Sequence, residues 1–135
     1  MSVLILRPNS DSTPIYQNPS TAGSHYVLID EATKDEADYT NLAGMAEGNA
    51  QLDLYGFPDH SSESGTINSV TVKAYLKYIL TGTCTNNATF NPSVKINSTI
   101  YASGEQNLTS STALYSYTWT TNPATSSAWT WSEID

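Results

Sequence analysis

The chain has one cysteine, five basic residues, two phenylalanines and no long apolar run. Each scarcity excludes something. A lone Cys84 rules out an intrachain disulfide, and a chain of 135 residues can bury a core without one. Its setting, Thr81-Gly82-Thr83-Cys84-Thr85-Asn86-Asn87, is polar and turn-like with no His or Lys beside it, so a catalytic thiol is not expected. Five bases against thirteen acids leave a net charge of −8 and no basic stripe to neutralise phosphates. That balance argues against nucleic acid and against an anionic membrane surface as partners. No apolar run approaches the length needed to span a bilayer. The helix formers Ala, Leu, Glu and Lys are sparse as well.

Catalytic signatures are missing too. His25 and His60 are isolated in sequence, and no Gly-x-Ser-x-Gly elbow, phosphate loop or zinc spacing occurs. Thirteen acids guarantee chance pairs, so paired carboxylates carry no weight by spacing alone. The expectation is a protein that is not an enzyme.

What is abundant is hydroxyl and amide. Ser, Thr and Asn supply 18, 18 and 11 residues, and nine Tyr with three Trp give most aromatic surface a polar edge. Thr, Tyr, Val and Ile favour strands. Alternation is clearest from Ser69 to Ile79, where Val70, Val72, Ala74, Leu76 and Tyr78 share one face and Thr71, Lys73, Tyr75 and Lys77 the other. This segment is expected to be a central strand. Gln51 to Phe57 sets Leu52 and Leu54 opposite Asp53 and Tyr55. Ser93 to Tyr101 sets Val94, Ile96, Ser98 and Ile100 against Lys95, Asn97 and Thr99. Ala113 to Thr120 sets Tyr115, Tyr117 and Trp119 against Leu114, Ser116 and Thr118. Shorter candidate strands are Val3 to Leu6, Ile15 to Gln17, Tyr26 to Ile29 and Trp129 to Trp131, and Ala32 to Ala37 has room for one helical turn.

Turn residues punctuate these segments at Pro8-Asn9, Pro19, Ala22-Gly23, Pro58-Asp59, Ser64-Gly65, Asn91-Pro92, Ser103-Gly104 and Asn122-Pro123. With no linker or repeat, residues 1–135 read as one all-β domain, a two-sheet antiparallel β-sandwich of jelly-roll-like form.

Two features stand out as candidate sites. The acidic run holds Asp30, Glu31, Asp35, Glu36 and Asp38. Of these, Asp30, Glu31, Asp35 and Asp38 are candidate oxygen ligands for Ca²⁺, although the run lacks the EF-hand Gly and terminal Glu. The alternative is a solvated acidic loop, with no cofactor at all. Tyr115, Tyr117, Trp119, Trp129 and Trp131 concentrate aromatic surface near the C-terminal end. They can cover a core, pack in a subunit interface, or stack on a glycan. Sequons at Asn87, Asn97 and Asn107 arise readily by chance in so Asn- and Thr-rich a chain.

Met1 to Leu6 is too short for a signal-peptide core and runs directly into Arg7-Pro8-Asn9. Cytoplasmic synthesis is therefore expected, despite an exterior chemistry typical of extracellular modules. A virus particle assembled inside the host cell and released from it reconciles the two, as does a chain separated from its native leader.

Several stretches together resemble a family. They are Leu6-Arg7-Pro8-Asn9, Tyr26-Val27-Leu28-Ile29-Asp30-Glu31, Asp38-Tyr39, Leu54-Tyr55-Gly56-Phe57, Ile67 through Tyr75, and the ending Trp119 through Asp135. The chain is similar here to small jelly-roll-like β-sandwich domains of tailed viruses of bacteria and archaea and of allied surface proteins. The resemblance implies a virion exterior component, such as a head decoration or fibre protein, whose partners are other virion proteins or copies of itself. It carries no catalytic residues.

In that family the Trp-Thr-Trp-Ser-Glu-Ile-Asp segment is expected to lead into another strand, whereas this sequence stops at Asp135. Either the chain is truncated there or a sheet position stays open for a neighbour. Val3-Leu4-Ile5-Leu6 is the candidate donor strand. The expected interface residues are Val3, Leu4, Leu6, Tyr115, Tyr117, Trp119 and Trp131. The alternatives are a carbohydrate-binding module of a surface protein and a subunit of an extracellular filament.

Overall fold

The computed structural model describes residues 3–41, 50–79 and 88–134. Cys84, the Asn87 sequon and the chain end at Asp135 lie outside the described residues. Among those described, regular structure consists of ten strands and two 3₁₀ turns, so the chain is all-β. The strands pair as five antiparallel two-stranded ladders. Two compact units divide at residues 59 and 60.

In the first unit, β1 (Ser10–Ser12) pairs with β4 (Leu54–Gly56). The Asn9 amide continues this ladder to the Gly56 carbonyl at 3.0 Å, and the Leu54 amide reaches the Pro14 carbonyl at 3.1 Å. A second ladder joins β2 (Asn18–Pro19) to β3 (Thr40–Asn41). The buried apolar side chains described here are Leu28 and Leu54, so polar contacts bear much of the burden of order.

Four expected elements of this unit are corrected. Tyr26 to Ile29 is not a strand: Tyr26–Leu28 is a 3₁₀ turn. The reason is Asp11, whose carboxylate accepts the His25 and Tyr26 amides at 2.9 and 2.7 Å. It satisfies the donors that a short helical turn leaves without internal partners. Ala32 to Ala37 forms no helical turn, because Asp35 Oδ1 takes the Ala37 amide at 2.8 Å and closes a local turn instead. Val3 to Leu6 and Ile15 to Gln17 belong to no ladder among the described residues.

The second unit is built on β5 (Val70–Leu76) and β10 (Ala113–Trp119), paired over seven residues from Val70↔Trp119 to Leu76↔Ala113. The alternation expected for both segments is present. Val70, Val72, Ala74 and Leu76 turn inward while Thr71, Lys73 and Tyr75 stay exposed. Ile96, Trp119 and Trp129 are the buried core, with Ile67, Val70, Val72, Val94, Tyr101 and Ile134 packed against it. Full burial of such a side chain contributes about 1.5–3 kcal/mol. The Trp129 indole N–H donates to the Trp119 carbonyl at 3.2 Å, so the core contains no stranded indole donor at that point.

Ser93 to Tyr101 is not one strand. It folds back as a hairpin of β7 (Ser93–Ile96) and β8 (Thr99–Ala102) around Asn97-Ser98. Both turn residues have positive φ, 48° and 67°. That is the requirement of a two-residue hairpin turn whose twist matches its strands, and Asn tolerates it well. The reversal moves Ile100 opposite Lys95, away from the face of Val94 and Ile96.

Farther out, β6 (Thr89–Phe90) pairs with β9 (Gln106–Asn107), one residue out of step with the inner hairpin. The extra residue is accommodated at Ser103–Glu105, where Gly104 has φ 107° and donates its amide to Asn91 Oδ1 at 2.9 Å. Ser103 donates to the buried Pro92 carbonyl at 2.9 Å. This is a bulge, and only Gly takes its conformation cheaply.

Trp129 to Trp131 is likewise not a strand. Trp129 makes a single antiparallel bridge with Ile67, and Trp131–Glu133 is a 3₁₀ turn. Thr130 and Glu133 cap each other's amides, the Thr-x-x-Glu capping box.

Ser98 supplies a test of the hairpin. An L-residue in the left-handed region costs about 1 kcal/mol that Gly avoids. Ser98→Gly is expected to raise stability by about 1 kcal/mol, and Asn97→Val to lower it by at least as much, in urea unfolding. Equal midpoints for all three proteins would show that the turn is not formed.

Candidate functional site

Chain geometry brings the densest polar chemistry together around Asp53, at the start of β4. Its side chain is only 2% exposed. Oδ1 accepts the Tyr16 and Gln17 amides at 2.6 and 2.8 Å. Oδ2 lies 2.9 Å from His25 Nδ1 and accepts the Tyr55 hydroxyl at 3.0 Å. An ionised carboxylate only accepts, so the imidazole proton facing it sits on Nδ1. Burial pushes the Asp53 pKa up. The Gln17 amide, the His25 ring, the Tyr16 amide and the Tyr55 hydroxyl together outweigh it, and the carboxyl ends below its ordinary value. Tyr55 is pushed well above the usual phenol range, by burial first and then by the nearby Asp53 charge.

The network reaches further. The Thr40 hydroxyl donates to Gln17 Oε1 at 2.7 Å, and Gln17 in turn gives its backbone amide to Asp53. Together with Asp11, these contacts tie β1, residues 16–17, the 3₁₀ turn, β3 and β4 into one polar knot. Chemically it acts as a cross-link, since two donors occupy each carboxylate oxygen. Sequence alternation places Asp53 on an outward face. Nothing in local periodicity signals that three donors from distant positions converge on it beside the neighbouring Tyr55.

The expected interface residues fall in different settings. Val3 is 78% exposed and Leu4 39%, while Leu6 is half-buried. Tyr115, Tyr117 and Trp119 do share a face of β10, and it is the face turned toward the core. Trp119 is buried in the core itself. Tyr117 meets it edge-on, with ring centroids 4.6 Å apart. Tyr115 is half-buried against Phe90, and its hydroxyl accepts the Thr109 amide at 2.9 Å. Trp131 donates its indole N–H to the Gly65 carbonyl at 2.9 Å and stacks on His60.

The acidic residues are not gathered. Glu31 and Asp35 are exposed, Asp30 and Asp38 half-buried, and Glu36 pairs with Lys34. Among the described residues no group of three or more His, Cys, Asp or Glu side chains is placed to hold a metal ion. No described helix is long and apolar enough to cross a membrane.

Buried Asn122 is the counterpart in the second unit. Its Oδ1 accepts the Ala124 amide, its carbonyl accepts Ser126, and its amide donates to Ser127, each at 2.8 Å. The Thr130 amide and hydroxyl hold the Glu133 carboxyl below its usual range. The segment from Asn122 to Glu133 is thus a self-bonded loop followed by a capped turn.

No protein-family model, curated protein or solved structure matches the chain.

Asp53→Asn tests the knot. The lowered folded-state pKa means that the carboxylate's contribution is fully present above about pH 4 and is lost as pH falls through and below that value. At pH 7 the substitution is expected to cost about 2 kcal/mol, because the amide turns N–H groups toward His25 and Tyr55. At pH 3 the gap between variant and parent should close substantially in urea titrations. An unchanged gap would mean that Asp53 is not held ionised.

Proposed function

We propose that the chain is a non-enzymatic structural protein of a virion exterior, a head decoration or a fibre or appendage component. In this reading the strand pairs belong to a jelly-roll-like two-sheet sandwich, made in the host cytoplasm and working through contacts with copies of itself or with other virion proteins. The observation that carries it is the apolar run Val3-Leu4-Ile5-Leu6. Val3 and Ile5 are 78% and 66% exposed, and the run joins no ladder among the described residues.

Exposed, contiguous, β-favouring side chains of this kind are a liability for an isolated chain and an asset for one that adds a strand to a neighbour. The resemblance to tailed-virus domains supports the same reading, as does a hydroxyl-rich surface of low charge density. Tyr117, at 39% exposure, extends the apolar surface available in the second unit. Trp119 contributes by supporting that surface from the core.

The test is the mass of the particle in solution. The parent chain is expected to sediment as a defined oligomer, or to bind a capsid or tail lattice. Removal of residues 1–6, or the pair Val3→Asp and Ile5→Asp, should leave a folded species with at least tenfold weaker assembly, about 1.4 kcal/mol or more. A parent that is monomeric and fails to bind virion proteins, or a shortened chain that assembles as the parent does, overturns the reading.

A further inference from the structure

We infer that the outward face of the β5–β10 ladder binds a short acidic oligosaccharide, with Tyr75 as the stacking platform and Lys73 as the partner of its carboxylate. The register sets Thr71, Lys73 and Tyr75 directly across from Thr118, Ser116 and Leu114. All six are exposed, Tyr75 at 55% and Leu114 at 49%. The Thr71 and Thr118 hydroxyl oxygens lie 2.8 Å apart, so one end of the face is a paired hydroxyl site. The other end is an open phenol ring beside an apolar side chain. The opposite face of the same ladder is spent on the core, through Val70, Val72 and Trp119.

Charge singles this face out. Thirteen acids are distributed along the chain, yet none occupies these six positions. Two of the five cations, Lys73 and Lys77, stand two residues either side of Tyr75. In a protein of net charge −8, these six positions carry a single formal charge, and it is positive. A pyranose ring presents C–H groups that pack on an aromatic face, and its hydroxyls exchange hydrogen bonds with Thr, Ser and an ammonium. A single carboxylate on the sugar would pair with Lys73 without opposing the whole negative surface.

Strand spacing of about 4.8 Å and a rise of about 3.3 Å per residue make the patch roughly 5 Å by 13 Å between Cα positions, the scale of a short oligosaccharide. A single-stranded nucleic acid fits less well. It carries a charge at every nucleotide and calls for a track of cations and several stacking rings. This assignment is independent of whether the chain assembles.

Titration of the full chain with sialyllactose, a hyaluronan tetrasaccharide and an oligogalacturonate, followed by amide chemical shifts, is the experiment. Lactose and a short oligothymidylate serve as comparisons. At least one acidic probe is expected to saturate with a Kd on the order of 0.1–1 mM, shifting the amides of Lys73, Tyr75 and Ser116 and weakening as salt is raised. Tyr75→Ser and Lys73→Gln should each weaken binding at least fivefold while leaving the thermal midpoint in place, since both side chains are exposed.

Several results overturn the inference. They are no shift at this face with any acidic probe at about 10 mM, equal binding of lactose, or parent-like binding by both variants. Tighter binding of the oligothymidylate would assign the face to nucleic acid instead.

Discussion

A carboxylate withdrawn from water needs hydrogen-bond donors to replace it, and the first unit is arranged around meeting that need at Asp53. Two amides come from Tyr16 and Gln17, an imidazole from His25 and a phenol from Tyr55. Removing any one donor would leave the buried charge less fully compensated, so each of these segments is held where it is. The described apolar burial here amounts to Leu28 and Leu54. Beside that described apolar burial, the polar knot gives these segments specific partners. Asp11 works the same way on the 3₁₀ turn, converting a segment of strand-favouring residues into a turn by taking up its first amides.

The second unit solves its problem with indole and backbone. Trp119 and Trp129 bury large rings around Ile96, and the Trp129 donor finds the Trp119 carbonyl inside the core. Asn122, fully buried, ties the loop between the two tryptophans to itself. The ending that looks most distinctive in sequence is therefore a packing device. Asn122 and the backbone of residues 124–127 bond one another while the rings of Trp119 and Trp129 fill the interior.

The β5–β10 ladder divides the molecule's chemistry by face. One side carries Val, Ala and aromatic rings toward the core, and the other carries hydroxyls, an ammonium, Tyr75 and Leu114 outward. The aromatic stripe of Tyr115, Tyr117 and Trp119 thus serves mainly as the supporting side. The ring that stands most open on this ladder is Tyr75, from the partner strand.

Period-two alternation over seven residues made β5 and β10 legible from sequence, together with which of their residues turn inward, because a half-buried strand imposes that pattern. The scarcity of helix formers likewise made the all-β class legible. The Thr-x-x-Glu capping box was also there to be read at Thr130, although two tryptophans at alternate positions point more obviously to a strand. Where alternation misled, between Ser93 and Tyr101, a two-residue turn keeps the period on both sides but shifts its phase, so that Tyr101 rather than Ile100 joins the face of Val94 and Ile96. A positive φ at Asn97 and Ser98 leaves no mark on hydropathy.

The Asp53 knot was not legible at all. Its hydrogen bonds join residues up to 37 positions apart, and an isolated Asp or His has the same local signature whether solvated or buried. Composition and periodicity determined the class of the fold and the sidedness of its longest ladder, since those follow from local backbone preference and water's exclusion of apolar faces. Only the tertiary structure decided which polar side chains would be buried, because that depends on donors brought together by the fold.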